Sequence, residues 1–350
     1  MIYLDYQATT PLAPEAREAM LAWLDNEHFA NPHSPHRMGR AAKAAVELAR
    51  EQVAALLPPG GRVVFTGNAC EAVNLAMRGV PGDGPIAHSA IEHASVRDTA
   101  RALGNAYELP VDGEGLTDPA TPLRPGTRLV AVMQVNNEIG TIQPSWLAAA
   151  RQSGALLLSD AVQAMGKVPV AEADLIAVSA HKLYGPKGIG ALWVRDGVEL
   201  APQITGGLQE GLRSGTLSPA LCAGFGAAAK LAKEALDRDA EHLGTLWNIA
   251  RARFAGWELN GSATQRWPGN LNIRRDGLDV ARLMSDCREV MFSAGSACAS
   301  GSGATSHVLR AIGLSDAQAK SSIRLGFGRY TTAAEVEQAA DIIIAAADAQ

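Results

Sequence analysis

Ala155-Leu156-Leu157-Leu158-Ser159-Asp160, followed one crossover later by Leu175-Ile176-Ala177-Val178-Ser179-Ala180-His181-Lys182-Leu183-Tyr184-Gly185-Pro186-Lys187-Gly188, is the stretch that decides the fold. Both apolar runs are short and nearly continuous, the pattern of strands covered on both faces. Strands joined by a single crossover lie parallel, with their carboxyl ends on the same rim of the sheet. Asp160 and Lys182 therefore share one crevice. A lysine at a strand end, with its stem packed and its amine partly desolvated, can lose its proton and condense with a carbonyl.

Outward from this pair, Arg62-Val63-Val64-Phe65-Thr66 reads as another strand, and Gly67-Asn68-Ala69-Cys70-Glu71 turns directly into the helical pattern Ala72–Met77. Small residues at such a turn leave amides pointing out at the positive end of the helix dipole, where an anion binds. A lysine, a carboxylate and a phosphate seat are what pyridoxal phosphate needs: an amine for the Schiff base and an acid to keep the pyridinium nitrogen protonated. Alanine-rich helices over Pro14–Leu24, Gly39–Leu57 and Pro219–Leu236 alternate with the strands, the signature of a mainly parallel sheet wrapped by helices. After Trp257 the order changes to a strand over Asn270–Ile273, a helix over Leu278–Cys287, a strand over Ile323–Gly326 and a last helix over Ala333–Ala347, which reads as a smaller α+β lobe.

Composition narrows the possibilities. A chain of 350 residues can bury a sizeable core, and a net charge of −5 argues against a dedicated nucleic-acid surface. No run of about 18 apolar residues is present and the first residues lack the pattern of a signal peptide, so a cytoplasmic protein with no membrane partner is expected. The four cysteines have no regular spacing, against a disulfide framework or a zinc site. His28, His33 and His36 fall in a proline-broken loop that lacks a helical frame for a metal, and no metal is expected.

The chain resembles the cysteine desulfurases of the class V aminotransferase family, fold-type I pyridoxal phosphate enzymes, over nearly its whole length. The motifs that carry the likeness are Tyr3-Leu4-Asp5-Tyr6-Gln7-Ala8-Thr9-Thr10-Pro11, Asn31-Pro32-His33-Ser34, Glu92-His93-Ala94, Val135-Asn136-Asn137-Glu138-Ile139-Gly140, Asp160-Ala161-Val162-Gln163, Ser179-Ala180-His181-Lys182, Arg213-Ser214-Gly215-Thr216, Ser293-Ala294-Gly295-Ser296-Ala297-Cys298 and Ser321-Ser322-Ile323-Arg324. The resemblance implies a large α/β domain over 14–256, with a small α+β domain made of 1–13 and 257–350. It implies that Lys182 holds the cofactor and moves the α-carbon proton, Asp160 pairs with the ring nitrogen, Gln163 with the ring hydroxyl oxygen, and His93 stacks on the ring. Asn68, Ala69, Cys70, Ser179 and His181 would hold the phosphate, with Thr216 reaching it from the neighbouring subunit of a homodimer. Asn137 and Arg324 would grip the carboxylate of L-cysteine, the arginine through its planar fork. Cys298 would be the nucleophile that takes the sulfur as a persulfide.

Taken singly, these residues have plainer readings: His93 as a local hydrogen-bonding group, Arg324 as a strand arginine paired with a carboxylate, Asn137 as a turn former, Thr216 as a cap for the helix at Ser218-Pro219. The segment 293–306 is almost all serine, glycine, alanine and threonine around Cys298, and is expected to be a mobile arm. The thiolate needs nearby positive charge or hydrogen bonding, from His93 or His307. The long arm points to an iron–sulfur scaffold as acceptor, with a thiolation relay as the other choice. Cys70 stands where the family has a threonine, and Gly206–Arg213 is one residue shorter than the family pattern. The alternatives are a selenocysteine lyase or another class V aminotransferase, in which the thiol is dispensable, and a non-catalytic sulfur-binding subunit.

Overall fold

A computed structural model describes residues 1–25, 27–209, 211–295 and 305–350. The strands are β1 Ile2–Tyr3, β2 Gly61–Thr66, β3 Ile86–Ser89, β4 Ala106–Leu109, β5 Leu129–Ala131, β6 Leu156–Asp160, β7 Leu175–Ser179, β8 Gly190–Arg195, β9 Glu258–Leu259, β10 Asn270–Arg274, β11 Val290–Met291, β12 Ser293–Ala294 and β13 Ser322–Gly326. The helices are α1 Pro14–Leu21, α2 Arg37–Ala54, α3 Ala69–Gly79, α4 Ala94–Leu103, α5 Leu147–Gln152, α6 Pro219–Arg253, α7 Val280–Asp286, α8 His307–Ala311, α9 Asp316–Lys320 and α10 Ala333–Asp348.

Seven strands form one sheet in the order β2-β8-β7-β6-β5-β3-β4, all parallel except β8, which runs against both β2 and β7. The mainly parallel α/β architecture expected from the alternation is the one found. β6 and β7 are covered on both faces, as their continuous apolar sequence requires. Because β2, β3, β5, β6 and β7 all run the same way, the residues that follow them, from Asn68 to Lys182, emerge on one rim.

A four-stranded antiparallel sheet, β12-β13-β10-β9, stands beside this rim. The N-terminal segment straps the two sheets together. β1 pairs in parallel with β11, Asp5 bridges Gly326, and Thr10 and Ala13 donate their amides to the carbonyls of His181 and Tyr184. No helix among the described residues is long and apolar enough to cross a membrane.

Several helix boundaries differ from the sequence reading. α1 stops at Leu21 rather than Leu24, and α2 starts two residues early because His36 caps it, Nδ1 accepting from the Gly39 amide at 3.2 Å. α6 runs 35 residues rather than ending near Leu236. The acidic and basic run Asp237-Arg238-Asp239 resembles a helix end, yet Asp239 is buried and pairs with Arg329 at 2.7 Å, and Leu243, Leu246 and Ala250 continue the buried stripe.

Candidate active site

Lys182 closes a 3-10 turn, Ala180–Lys182, directly after β7. Its Nζ donates to the backbone carbonyls of Gln7 and Ala8 at 2.6 and 2.7 Å, so the N-terminal strap holds the amine. The next turn is backbone-strained: Tyr184 has φ +66, a left-handed conformation that a bulky residue rarely takes. Thr10 Oγ1 accepts from the Tyr184 amide at 2.7 Å, and the Tyr184 hydroxyl accepts from the Arg329 amide at 2.6 Å, which fix it. Asp160 ends β6, 6% exposed, with Oδ1 accepting from the Val162 amide at 3.0 Å. Burial pushes its carboxyl upward, while His93, that amide and Lys182 pull the other way. Gln163 donates to the Gln7 carbonyl at 2.9 Å and accepts from Lys167 Nζ at 2.6 Å, so its amide orientation is set. Burial, then the nearby Lys182, holds the Lys167 amine well below its ordinary range.

The turn after β2 is built as a seat. Asn68 caps α3, its Oδ1 accepting from the Glu71 amide at 3.0 Å, and Thr66 Oγ1 donates to the Asn68 carbonyl at 2.9 Å. Glu71 in turn accepts from the Gly67 amide at 2.6 Å and from Arg213 Nε at 2.6 Å, which ties the 206–213 loop to this turn. Gly190 of β8 passes beneath; a Cβ there would lie 2.7 Å from both the Asn68 carbonyl carbon and the Val178 oxygen. The first-turn amides of a helix lack partners within it. Beside them, the Ser179 hydroxyl is 3% exposed and has no hydrogen-bond partner among the described residues. His181 Nδ1 lies 3.1 Å from Thr9 Oγ1; burial, then Lys182, lowers its pKa to about 4, so the ring is neutral.

The facing wall comes from the small sheet. Arg324 of β13 is fully buried, with Nη2 donating to Asp5 Oδ1 at 2.6 Å and to Ser293 Oγ at 3.2 Å, and Nη1 to the Asn137 carbonyl at 3.1 Å. The register of β12, β13 and β10 sets Ser293 and Asn272 on either side of it. Behind this wall lie two buried glutamates. Glu138 accepts from Ser306 Oγ at 2.5 Å, and burial pushes its carboxyl up to about 7. Glu92 accepts from Ser89 Oγ and the Met133 amide, and burial pushes it to about 8. His307 donates through Nε2 to the Glu92 carbonyl at 2.9 Å; burial lowers its pKa to about 4, so it is neutral and is not the positive charge sought for a thiolate.

Between the walls is a pocket of about 350 Å³. Lys182, Asp160, Gln163, His93, Asn68, Ala69, Cys70, Ser179, His181, Asn137 and Arg324 all line it. His93 lines the pocket and also has its plainer reading, capping α4 by accepting from the Ser95 amide at 3.1 Å. Thr216 is exposed and does not line the pocket of this chain; Ser218, not Thr216, caps α6. Cys298 and most of its arm lie outside the described residues. Gln7 and Asp5 are site residues that the sequence reading quoted without a role. The signal for Gln7 was its place in the Tyr3–Pro11 motif; nothing local pointed to Asp5 as the partner of Arg324.

The donor set suits a phosphate-bearing pyridine aldehyde. An orphaned buried hydroxyl beside a helix amino end fits the phosphate, an acid at the pocket floor fits a ring nitrogen, and a lysine amine fits the aldehyde.

Comparison with known proteins gives the same family. A family model described as aminotransferase class V matches residues 2–339. The cysteine desulfurase IscS of Rickettsia felis is 40% identical, across 99% of this chain and 91% of its own length. A protein of Arthroderma benhamiae named "cysteine desulfurase, mitochondrial" is 42% identical across 96% of this chain and 72% of its length. Among solved structures, a NifS-like protein superposes with a TM-score of 0.90 at 30% identity, covering 98% of both chains. A pocket with this lysine, aspartate and helix-end seat, matched along its whole length, places the chain among the cysteine desulfurases of the class V aminotransferase family, which are pyridoxal phosphate enzymes.

Proposed function

We propose that this enzyme removes the sulfur of L-cysteine, releases L-alanine and carries the sulfur as a persulfide on Cys298. The observation that supports the reading is the convergence of Lys182, Asp160, Gln163, His93 and Arg324, drawn from both sheets, on one pocket. Pyridoxal phosphate supplies, when bound, an electron sink for the α-carbon of the amino acid. The protein's own residues do the rest. Arg324, oriented by Asp5 and Ser293, binds the substrate carboxylate together with Asn137. Lys182 takes and returns the α-carbon proton, leaving its two backbone acceptors to do so. Asp160 holds the proton at the ring nitrogen, Gln163 donates at the ring oxygen, and His93 covers the ring face. Asn68, Ala69, Cys70, Ser179 and His181 hold the phosphate. The Cys298 thiolate, the nucleophilic form, would attack the substrate sulfur: the persulfide S–S bond forms as the substrate's carbon–sulfur bond breaks, and the carbon fragment keeps that electron pair and is protonated to L-alanine.

The same reading makes the protein a cytoplasmic homodimer. Thr216, exposed at the end of the loop that Arg213 ties to the seat, would complete the partner subunit's phosphate site. It divides the chain into 14–256, which holds the seven-stranded sheet, and 1–13 with 257–350, which holds the smaller sheets. The acceptor would be an iron–sulfur scaffold or a thiolation relay. Cys298→Ala tests the proposal: the cofactor absorbance should stay while sulfide release from L-cysteine under reductant disappears. Retained release would remove Cys298 from the mechanism.

A further inference from the structure

Cys70 is the second residue of α3, an 11-residue helix, and it is exposed. It lines the pocket together with Asn68, Ala69, Ser179 and His181. The Asn68 side chain caps the helix by accepting from the Glu71 amide, the third of the helix, at 3.0 Å. The independent sign of a ligand is Ser179, whose buried hydroxyl has no partner among the described residues and lies in the same pocket. Whatever occupies the seat thus sits against the Cys70 side chain. Among the described residues the two other cysteines are buried, and burial pushes Cys222 up to about 12 and raises Cys287.

We propose that Cys70 is a thiol-modification site inside the seat, and that its S-thiolation by a low-molecular-weight disulfide excludes a phosphate ester from the pocket. This rests on reading the turn as the cofactor's phosphate site. In the reaction with glutathione disulfide, the Cys70 thiolate attacks one sulfur, the S–S bond breaks, a Cys70–glutathione disulfide forms, and one glutathione leaves as the thiolate and picks up a proton. Cys70 is oxidised and the departing sulfur reduced, so no other reactant is needed. The amino end of α3, which draws a phosphate, also draws the carboxylates of glutathione. A tripeptide attached there fills space that the cofactor would occupy, and thiol reductant reverses the block. The consequence is an enzyme whose cofactor loading responds to the thiol–disulfide balance, while the loaded form is protected.

The full-length Cys298→Ala protein, with and without pyridoxal phosphate, is the material for the test. Treated with glutathione disulfide and read by peptide mass spectrometry, Cys70 should react about tenfold more slowly when the cofactor is present at about ten times its Kd. Protein thiolated beforehand should take up pyridoxal phosphate, by absorbance, only to the extent of its unmodified fraction, and dithiothreitol should restore uptake. Adding Cys70→Ser should make uptake independent of the treatment. Equal reaction rates with and without cofactor, or normal uptake by thiolated protein, would overturn the inference while leaving the cofactor reading intact. Failure of the unmodified protein to take up the cofactor would overturn both.

Discussion

The two walls of the pocket are made by different means. On the large-sheet side, Asp160, Ser179 and Lys182 stand at or just past strand ends, and they meet because parallel strands end together. On the small-sheet side, Arg324 is fully buried and its guanidinium is held by Asp5, Ser293 and the Asn137 carbonyl. One wall is placed by topology, the other by side chains meeting across the chain. Damage to the first should cost chemistry, and damage to the second should cost stability.

The largest effect is expected at Lys182. Lys182→Ala removes the proposed proton carrier and should lower cysteine turnover by about a thousandfold, with a smaller loss in urea unfolding than the facing wall shows. Turnover near that of the parent protein would break the assignment of this wall. The next effect belongs to Asp5. Asp5→Ala leaves a buried guanidinium without its carboxylate, which should cost about 3 kcal/mol. Replacing both partners, Asp5→Ala with Arg324→Met, should cost less than Asp5→Ala alone, because no uncompensated charge remains. Simple addition of the two single effects would show that the pair is not what holds this wall.

The same contrast explains what could be read in advance. The strands β6 and β7, the lysine and aspartate at their ends, and the turn from β2 into α3 follow from local hydrophobic pattern and the length of one crossover. The pairing of Asp5 with Arg324 spans 319 positions, and no periodicity encodes a partner at that distance. The continuation of α6 past Leu236 was hidden for a related reason: Asp239 looks like solvent-facing charge until Arg329, far along the chain, is set against it. Residue roles for His93, Asn137 and Thr216 come from family resemblance, since the sequence offers each a plainer local reading, which for Thr216 goes to Ser218 instead.

The buried Glu92 gives a pH-dependent test. Its pKa in the folded protein, about 8, lies above its ordinary 4.5, so its contribution to stability is complete below about pH 4.5 and is lost as pH rises through about 8. Glu138 loses its contribution over a lower window, up to about 7. Thermal unfolding should therefore move to lower temperature between about pH 5 and 8, and Glu92→Gln should flatten that decline. An unchanged slope in the variant would mean that Glu92 is already ionised at neutral pH.

The smallest effect separates a local contact from the long-range ones. Ser306 Oγ accepts from the Leu309 amide at 3.1 Å, capping α8, and donates to Glu138 Oε2 at 2.5 Å. Ser306→Ala should cost about 1 kcal/mol for the cap. It should also take away the hydrogen bond that favours ionised Glu138, so the Glu138 carboxyl moves further up and stability goes on falling to a pH above about 7. The stability loss from the substitution should therefore be larger at alkaline pH than at acid pH, where a protonated Glu138 can do without the serine donor. A pH-independent loss would assign Ser306 to capping alone and detach Glu138 from the segment that leads into α8.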